Sequence, residues 1–389
     1  MKKIMLFVLA LCLCFTAFGA AFAETAATEA PSAEKPAAEM TAEELLYRRG
    51  KEVEQDLVKA AEYFQKALEL EADAPEILQA VDELAAALYE DGKAAMNAGD
   101  YEKAMEYCRL AADFGYSEAI KEIGNLYCYG LGVEPDDDKA FEYYQKAADL
   151  GNINAVNNLG NCYLEGRGVE KNEEEAVKYY RTAAEQGVAA AQNNMGYVYL
   201  NGKGVSQDYG EAVKYYTLAA DQGYAFAQNM LGRCYEYGLG VEQDYGKAFG
   251  YYQQAAGQGN TDAQHSLGLF YLNGIGVEQN DEEALKYIRM AAEQGSASAQ
   301  YDIGYNYRHG EGVEQDYGKA VEYFMLAAEQ GYPVAIFAVG DCYYLGEGVE
   351  KDLAKAAEWY QKSLDAGYKA DKEDEEHLKA VLGDEYQQK

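Results

Sequence analysis

One tetrapeptide returns along this chain on a fixed beat, and that beat constrains the fold more than any other feature. Gly-x-Gly-Val begins at Gly130, Gly166, Gly202, Gly238, Gly274, Gly310 and Gly346, always 36 residues on and never with an insertion. A strict period of this length marks an architecture in which each unit is one supersecondary element that buries its apolar face only against its neighbours. Aligned on the glycines, the unit reads A-x-x-x-L-G-x-x-Y-x-x-G-x-G-V-x-x-D-x-x-K-A-x-x-Y-Y-x-x-A-A-x-x-G.

Residues 155–190 show what each place is for. Ala155, Leu159, Gly160 and Tyr163 share one face of a helix. The glycine inside that helix costs about 1 kcal/mol in propensity, so its return in every unit points to close approach of another helix. Gly166 and Gly168 end the helix and turn the chain. Asn172, with Asp136, Asp208, Asp244, Asn280, Asp316 and Asp352 in the other units, stands where a second helix needs an N-cap acceptor. Ala176, Tyr179, Tyr180, Ala183 and Ala184 give that helix its apolar stripe, and Gly187 closes it. Pro75 and Pro333 fall at helix starts and Pro135 in a turn. The expectation is an all-α chain, a right-handed α-α superhelical solenoid of stacked helical hairpins.

The flanks read differently. Lys2 and Lys3 precede an apolar run from Ile4 to Phe18, and Ala21-Phe22-Ala23 forms an A-x-A site. This is the pattern of a secretory signal cleaved after Ala23. Leu11 and Leu13, not small residues, precede Cys12 and Cys14, which disfavours a lipoprotein. Residues 24–40, with Pro31 and Pro36, are poor in large apolar side chains and read as a disordered tether. Residues 41–118 read as degenerate hairpins: a weak copy of the unit runs from Tyr47 through Gly50 and Asp56 to Lys59-Ala60 and Tyr63-Phe64, and Gly99-Asp100-Tyr101 opens another helix. Residues 119–370 hold the seven full units, and 371–389 are expected to form a capping helix.

The repeat resembles the Sel-one-like repeat (SLR) family, a relative of the tetratricopeptide solenoids, over 119–370 without a gap. The resemblance implies a protein-interaction scaffold, adaptor or assembly factor, without catalysis of its own. Some secreted relatives are described as penicillin-binding or β-lactamase-like, which leaves an enzyme as the alternative; a structural spacer in the envelope is a third reading.

Composition narrows the partners. With 33 Lys+Arg against 67 Asp+Glu the formal net charge is −34, which repels nucleic acid and anionic lipid and steers basic proteins or peptides inward. No membrane insertion is expected after signal cleavage, and no cofactor. His265, His309 and His377 lack metal spacing; the first two are candidates for the binding face and the third for the cap. Asp136-Asp137-Asp138 lacks the alternating ligands of a calcium loop. The glycine turns carry no Lys-Ser/Thr and no preceding strand, so they are turns and not phosphate cradles. Ser32-x-x-Lys35 lies in the tether without partner motifs. Cys162, Cys234 and Cys342 share one repeat position on the packed side, with nearest copies two repeats or roughly 20 Å apart. A disulfide needs Cα atoms within about 7 Å, so these three read as small buried hydrophobes. Cys108 and Cys128, on consecutive helices, are the sole plausible bridge. Cysteine-rich secreted members of the family carry a Cys pair in each repeat; this chain does not.

The binding face is sought two residues before and two after the leucine of each first helix, roughly 160° from its apolar stripe at about 100° per residue. In the resembling solenoids this face lines the concave groove. Read down the array, the first place holds Lys121, Asn157, Asn193, Asn229, His265, Tyr301 and Phe337; the second holds Asn125, Asn161, Tyr197, Arg233, Leu269, Tyr305 and Asp341. An asparagine row gives way to aromatics. A row of amides can pair with an extended peptide backbone without reading its sequence, and aromatics supply rigid anchors. Equally, asparagine is a tolerated residue on a solvated helix face, and the acidic charge serves solubility.

Overall fold

The computed structural model describes residues 57–70 and 75–383. The signal, the tether and the turn at Gly50–Asp56 lie outside the described residues. Among those described, every regular element is a helix, eighteen in all, and there is no strand. The chain divides into two compact units, Met1–Ala119 and Ile120–Lys389.

In the first unit, Leu57–Leu70 is followed by Pro75–Asn97 and Tyr101–Asp113. Pro75 opens its helix, where its missing N–H leaves nothing unpaired. Asp100 caps the next helix by accepting from the Lys103 N–H. Gly92 faces Cys108: an added Cβ would stand 3.2 Å from the sulfur.

The second unit is a solenoid of hairpins. Its first helices are Ile153–Glu165, Ala189–Asn201, Ala225–Tyr237, Thr261–Asn273, Ala297–His309 and Pro333–Leu345, preceded by Ser117–Tyr129. Its second helices are Asp137–Asp149, Glu173–Glu185, Tyr209–Asp221, Tyr245–Gly257, Asp281–Glu293, Tyr317–Glu329 and Leu353–Asp365. The ends are set by local chemistry. All seven Asp or Asn residues expected as N-caps accept a backbone N–H three residues on, as Asn172 does from Glu175 at 3.0 Å. Gly166 ends its helix at φ 76°, ψ 38°, and its N–H reaches the Cys162 carbonyl. A side chain there would be held in the left-handed region, which glycine alone enters freely.

Packing inside a hairpin is built on the mid-helix glycine. The rings of Tyr144, Tyr180, Tyr216, Tyr252, Phe324 and Tyr360 lie on Gly124, Gly160, Gly196, Gly232, Gly304 and Gly340, and Ile288 lies on Gly268. Tyr180, Tyr216, Tyr252 and Tyr360 are among the largest fully buried side chains. Between hairpins, polar ladders join in. Gln192 donates to the Ala184 carbonyl of the preceding repeat and accepts from Gln222 of its own hairpin at 2.8 Å. The same pair recurs as Gln228–Gln258, Gln264–Gln294 and Gln300–Gln330. Cys162, Cys234 and Cys342 are buried, as their place in the repeat requires. Cys128 is half-buried, with its Sγ 3.4 Å from an Arg167 guanidinium nitrogen. A last helix, Lys372–Leu382, sets Leu378 against Phe337 and Tyr360.

Candidate interaction surface

The two places read along the first helices differ in exposure. At the second place Tyr197, Arg233 and Tyr305 are exposed, Asn125, Asn161 and Leu269 are half-buried, and Asp341 is buried. At the first place Lys121, Asn193, His265 and Tyr301 are half-buried, while Asn157, Asn229 and Phe337 are buried. The asparagines therefore do not form an open row. Each first helix is flanked by the first helix of the next repeat, which covers this side of the face.

That neighbour reaches across with the residue just after the first place. Asn194 donates to Asn157 at 2.9 Å and to Asn161 at 3.2 Å, and Asn158 donates to Asn125 at 3.3 Å. From within the hairpin the buried tyrosine hydroxyls donate to the second place: Tyr144 to Asn125 and Tyr180 to Asn161, each at 2.8 Å. So Asn161 accepts from its own second helix and from the next repeat at once. His265 Nε2 stands 2.7 Å from Asp302 of the next repeat, and its Nδ1 stands 3.3 Å from Ser298. Burial raises the Tyr180 and Tyr216 hydroxyl pKa values far above the ordinary phenol, so both stay protonated. The sequence reading missed Asn158, Asn194 and Asp302. The doubled Asn157-Asn158 and Asn193-Asn194 were the available signal.

Toward the C-terminus the face is aromatic and charged. The Tyr301 ring packs on Phe324 and Tyr332, with centroids 5.6 and 6.0 Å away, and burial pushes its hydroxyl pKa up to about 12. The Tyr305 ring lies tilted against His309, with centroids 4.2 Å apart. Phe337 is no surface anchor: it is enclosed by Tyr360 at 4.9 Å and Tyr368 at 4.7 Å. Asp341 accepts from the Tyr360 hydroxyl at 2.8 Å and lies 3.0 Å from His377 Nδ1 and 3.4 Å from an Arg308 nitrogen. Arg308 also pairs with Glu347 at 2.7 Å.

Among the described residues no group of three or more His, Cys, Asp or Glu is placed to hold a metal ion, and no helix is long and apolar enough to cross a membrane. What the face offers is amide and hydroxyl hydrogen bonding beside exposed aromatic rings and one exposed guanidinium.

Comparison with known proteins fits this geometry. The Sel1 repeat family model matches at 36–71 and 79–116, and then without a break from 117–152 to 333–368, nine copies in all. Similar solved structures include a protective antigen of uropathogenic Escherichia coli that displays an SLR fold. It is 35% identical over 78% of this chain and 67% of that one, with a TM-score of 0.57. A repeat protein from Oxalobacter formigenes is 34% identical over 62% of this chain and 96% of that one, with a TM-score of 0.54. No curated protein matches the chain.

Proposed function

This chain belongs to the Sel1 repeat family, and from that premise we propose that it is an exported, non-catalytic scaffold that binds a protein or peptide along the first-helix face of its second unit. The observation that carries the reading is the exposure of Tyr197, Arg233 and Tyr305 at the same place of three repeats, with Tyr197 and Tyr305 on helices tied to a neighbour by the asparagine and histidine bridges. Rigid aromatic and arginine side chains on a pre-organised support are what interaction hot spots are made of. The net charge of −34 favours a basic partner. The amino-terminal signal pattern supports a periplasmic or secreted location, and the structural similarity to a protective antigen of uropathogenic E. coli agrees with an exposed role.

The experiment is crosslinking on the native host with Tyr197→Ala, Arg233→Glu and Tyr305→Ala combined. These side chains are exposed, so the fold is preserved. Loss of crosslinked partners supports the scaffold reading. An unchanged partner set would refute it and favour a passive spacer.

A further inference from the structure

The polar bridges of the first-helix face fail at two successive junctions, and the failure leaves three buried polar atoms without partners: Asn193 Oδ1, Asn229 Oδ1 and the Tyr216 hydroxyl. The cause is in the sequence. In the preceding repeat Asn194 bridges to Asn157 and Asn161, and Asn161 receives the Tyr180 hydroxyl. One repeat on, the place of Asn194 is taken by Met230 and the place of Asn161 by Tyr197. Methionine donates nothing, so Asn193 has no bridge; Tyr197 offers no carbonyl, so Tyr216 has no acceptor. One repeat further Ser266 stands in the bridging place, and Asn229 is left over in turn. Asn229 is 5% exposed and Tyr216 fully buried.

We infer that this break is a peptide-binding subsite within the proposed interaction face, and that its occupant is an extended, polyproline-II-like segment docked across the repeats 189–224 and 225–260. The inference rests on the scaffold reading above. Orphaned buried polar groups destabilise the empty protein, and a ligand that satisfies them recovers that loss on binding. A terminal amide can turn to present oxygen or NH2, and a hydroxyl gives or accepts. The matching ligand must therefore carry donors and acceptors in alternation, as a peptide backbone does. The spacing agrees. Neighbouring first helices pack about 8–10 Å apart, and a polyproline-II chain returns to the same face every three residues, roughly 9 Å on. Its backbone is unpaired with itself, so residues i and i+3, neither of them proline, meet Asn193 and Asn229. Met230 is the movable cover: unbranched and half-buried, it can swing aside. Exposed Tyr197 and Arg233 form the rim, with an Arg233 nitrogen 4.0 Å from the Met230 sulfur.

The test selects random displayed peptides on the full chain and measures the enriched peptides by fluorescence anisotropy against variants. Met230→Asn restores the bridge found one repeat earlier. It should raise the melting temperature and weaken the peptide about tenfold, an opposition that a purely structural role for Met230 does not produce. Asn193→Ala with Asn229→Ala, and Tyr216→Phe alone, should weaken binding to a similar degree. Enriched peptides that bind all these variants like the parent, or that lose binding only with Tyr305→Ala, overturn the subsite while leaving the scaffold reading intact. Failure to enrich any peptide overturns the subsite, while the scaffold reading stands or falls on the crosslinking.

Discussion

The ring of Tyr180 lies on Gly160 so closely that a Cβ added to the glycine would stand 2.6 Å from two ring carbons. The glycine is a socket, and its presence inside a helix follows from the tyrosine that fills it. Gly160→Ala should destabilise the protein by about 2 kcal/mol, because overpacking a filled core outweighs the gain in helix propensity. Gly250 lies inside the second helix Tyr245–Gly257 with nothing near its missing Cβ. Gly250→Ala should stabilise by about 0.5–1 kcal/mol. Urea titrations of the two variants should therefore move in opposite directions.

The N-caps are separable from packing. Asp208 accepts from the Glu211 N–H at 3.0 Å on an exposed turn. Asp208→Ala should lower stability by about 1 kcal/mol, and Asp208→Ser should retain most of it. Thermal unfolding of both variants checks this.

Alkali should loosen the array through its buried thiols. Burial pushes Cys162 and Cys342 up to about 12 and Cys234 to about 11, from an ordinary value of 9.0. Between those values the folded state keeps protons that the unfolded chain has released. Their contribution to stability is whole below about pH 9 and is lost as pH rises through 11 to 12. Stability measured against pH should fall over that window, and more gently when all three are alanine. At neutral pH these thiols should react with a disulfide reagent only after denaturation.

Asp341 holds the C-terminal end together through Tyr360, Arg308 and His377. Asp341→Ala strands the Tyr360 hydroxyl and should cost about 2 kcal/mol. Because repeats touch only their neighbours, hydrogen exchange should quicken in 333–382 and stay unchanged over 153–221.

Much of this architecture is legible in the sequence because its causes are local. Asn172 and Gly166 act within a few residues of themselves, so spacing reveals their roles as cap and turn. The socket at Gly160 was readable as close approach, though not the identity of Tyr180 as its occupant. The interaction face was harder. A helical wheel weighs one helix against water, while Asn157 lies between its own helix and the next, 37 residues away at Asn194. Gln192, Gln228, Gln264 and Gln300 are hidden from a helical wheel for the same reason: each is buried and donates to a carbonyl of the preceding repeat. Phe337 appeared to be an open anchor because the residues that enclose it, Tyr360 and Tyr368, come later in the chain and belong to the closing end.

At Gly168, Gly204, Gly240, Gly276 and Gly348 the second glycine of the turn lies closest to main chain of the preceding repeat's second helix. A Cβ at Gly204 would collide with the Glu173 carbonyl, at Gly240 with that of Tyr209, and at Gly276 with that of Tyr245. Glutamate or tyrosine makes no difference to such a joint, so this contact does not restrict which module follows which. Copy number thus becomes an adjustable ruler, which duplication or loss of a whole 36-residue cassette can lengthen or shorten without redesigning this contact.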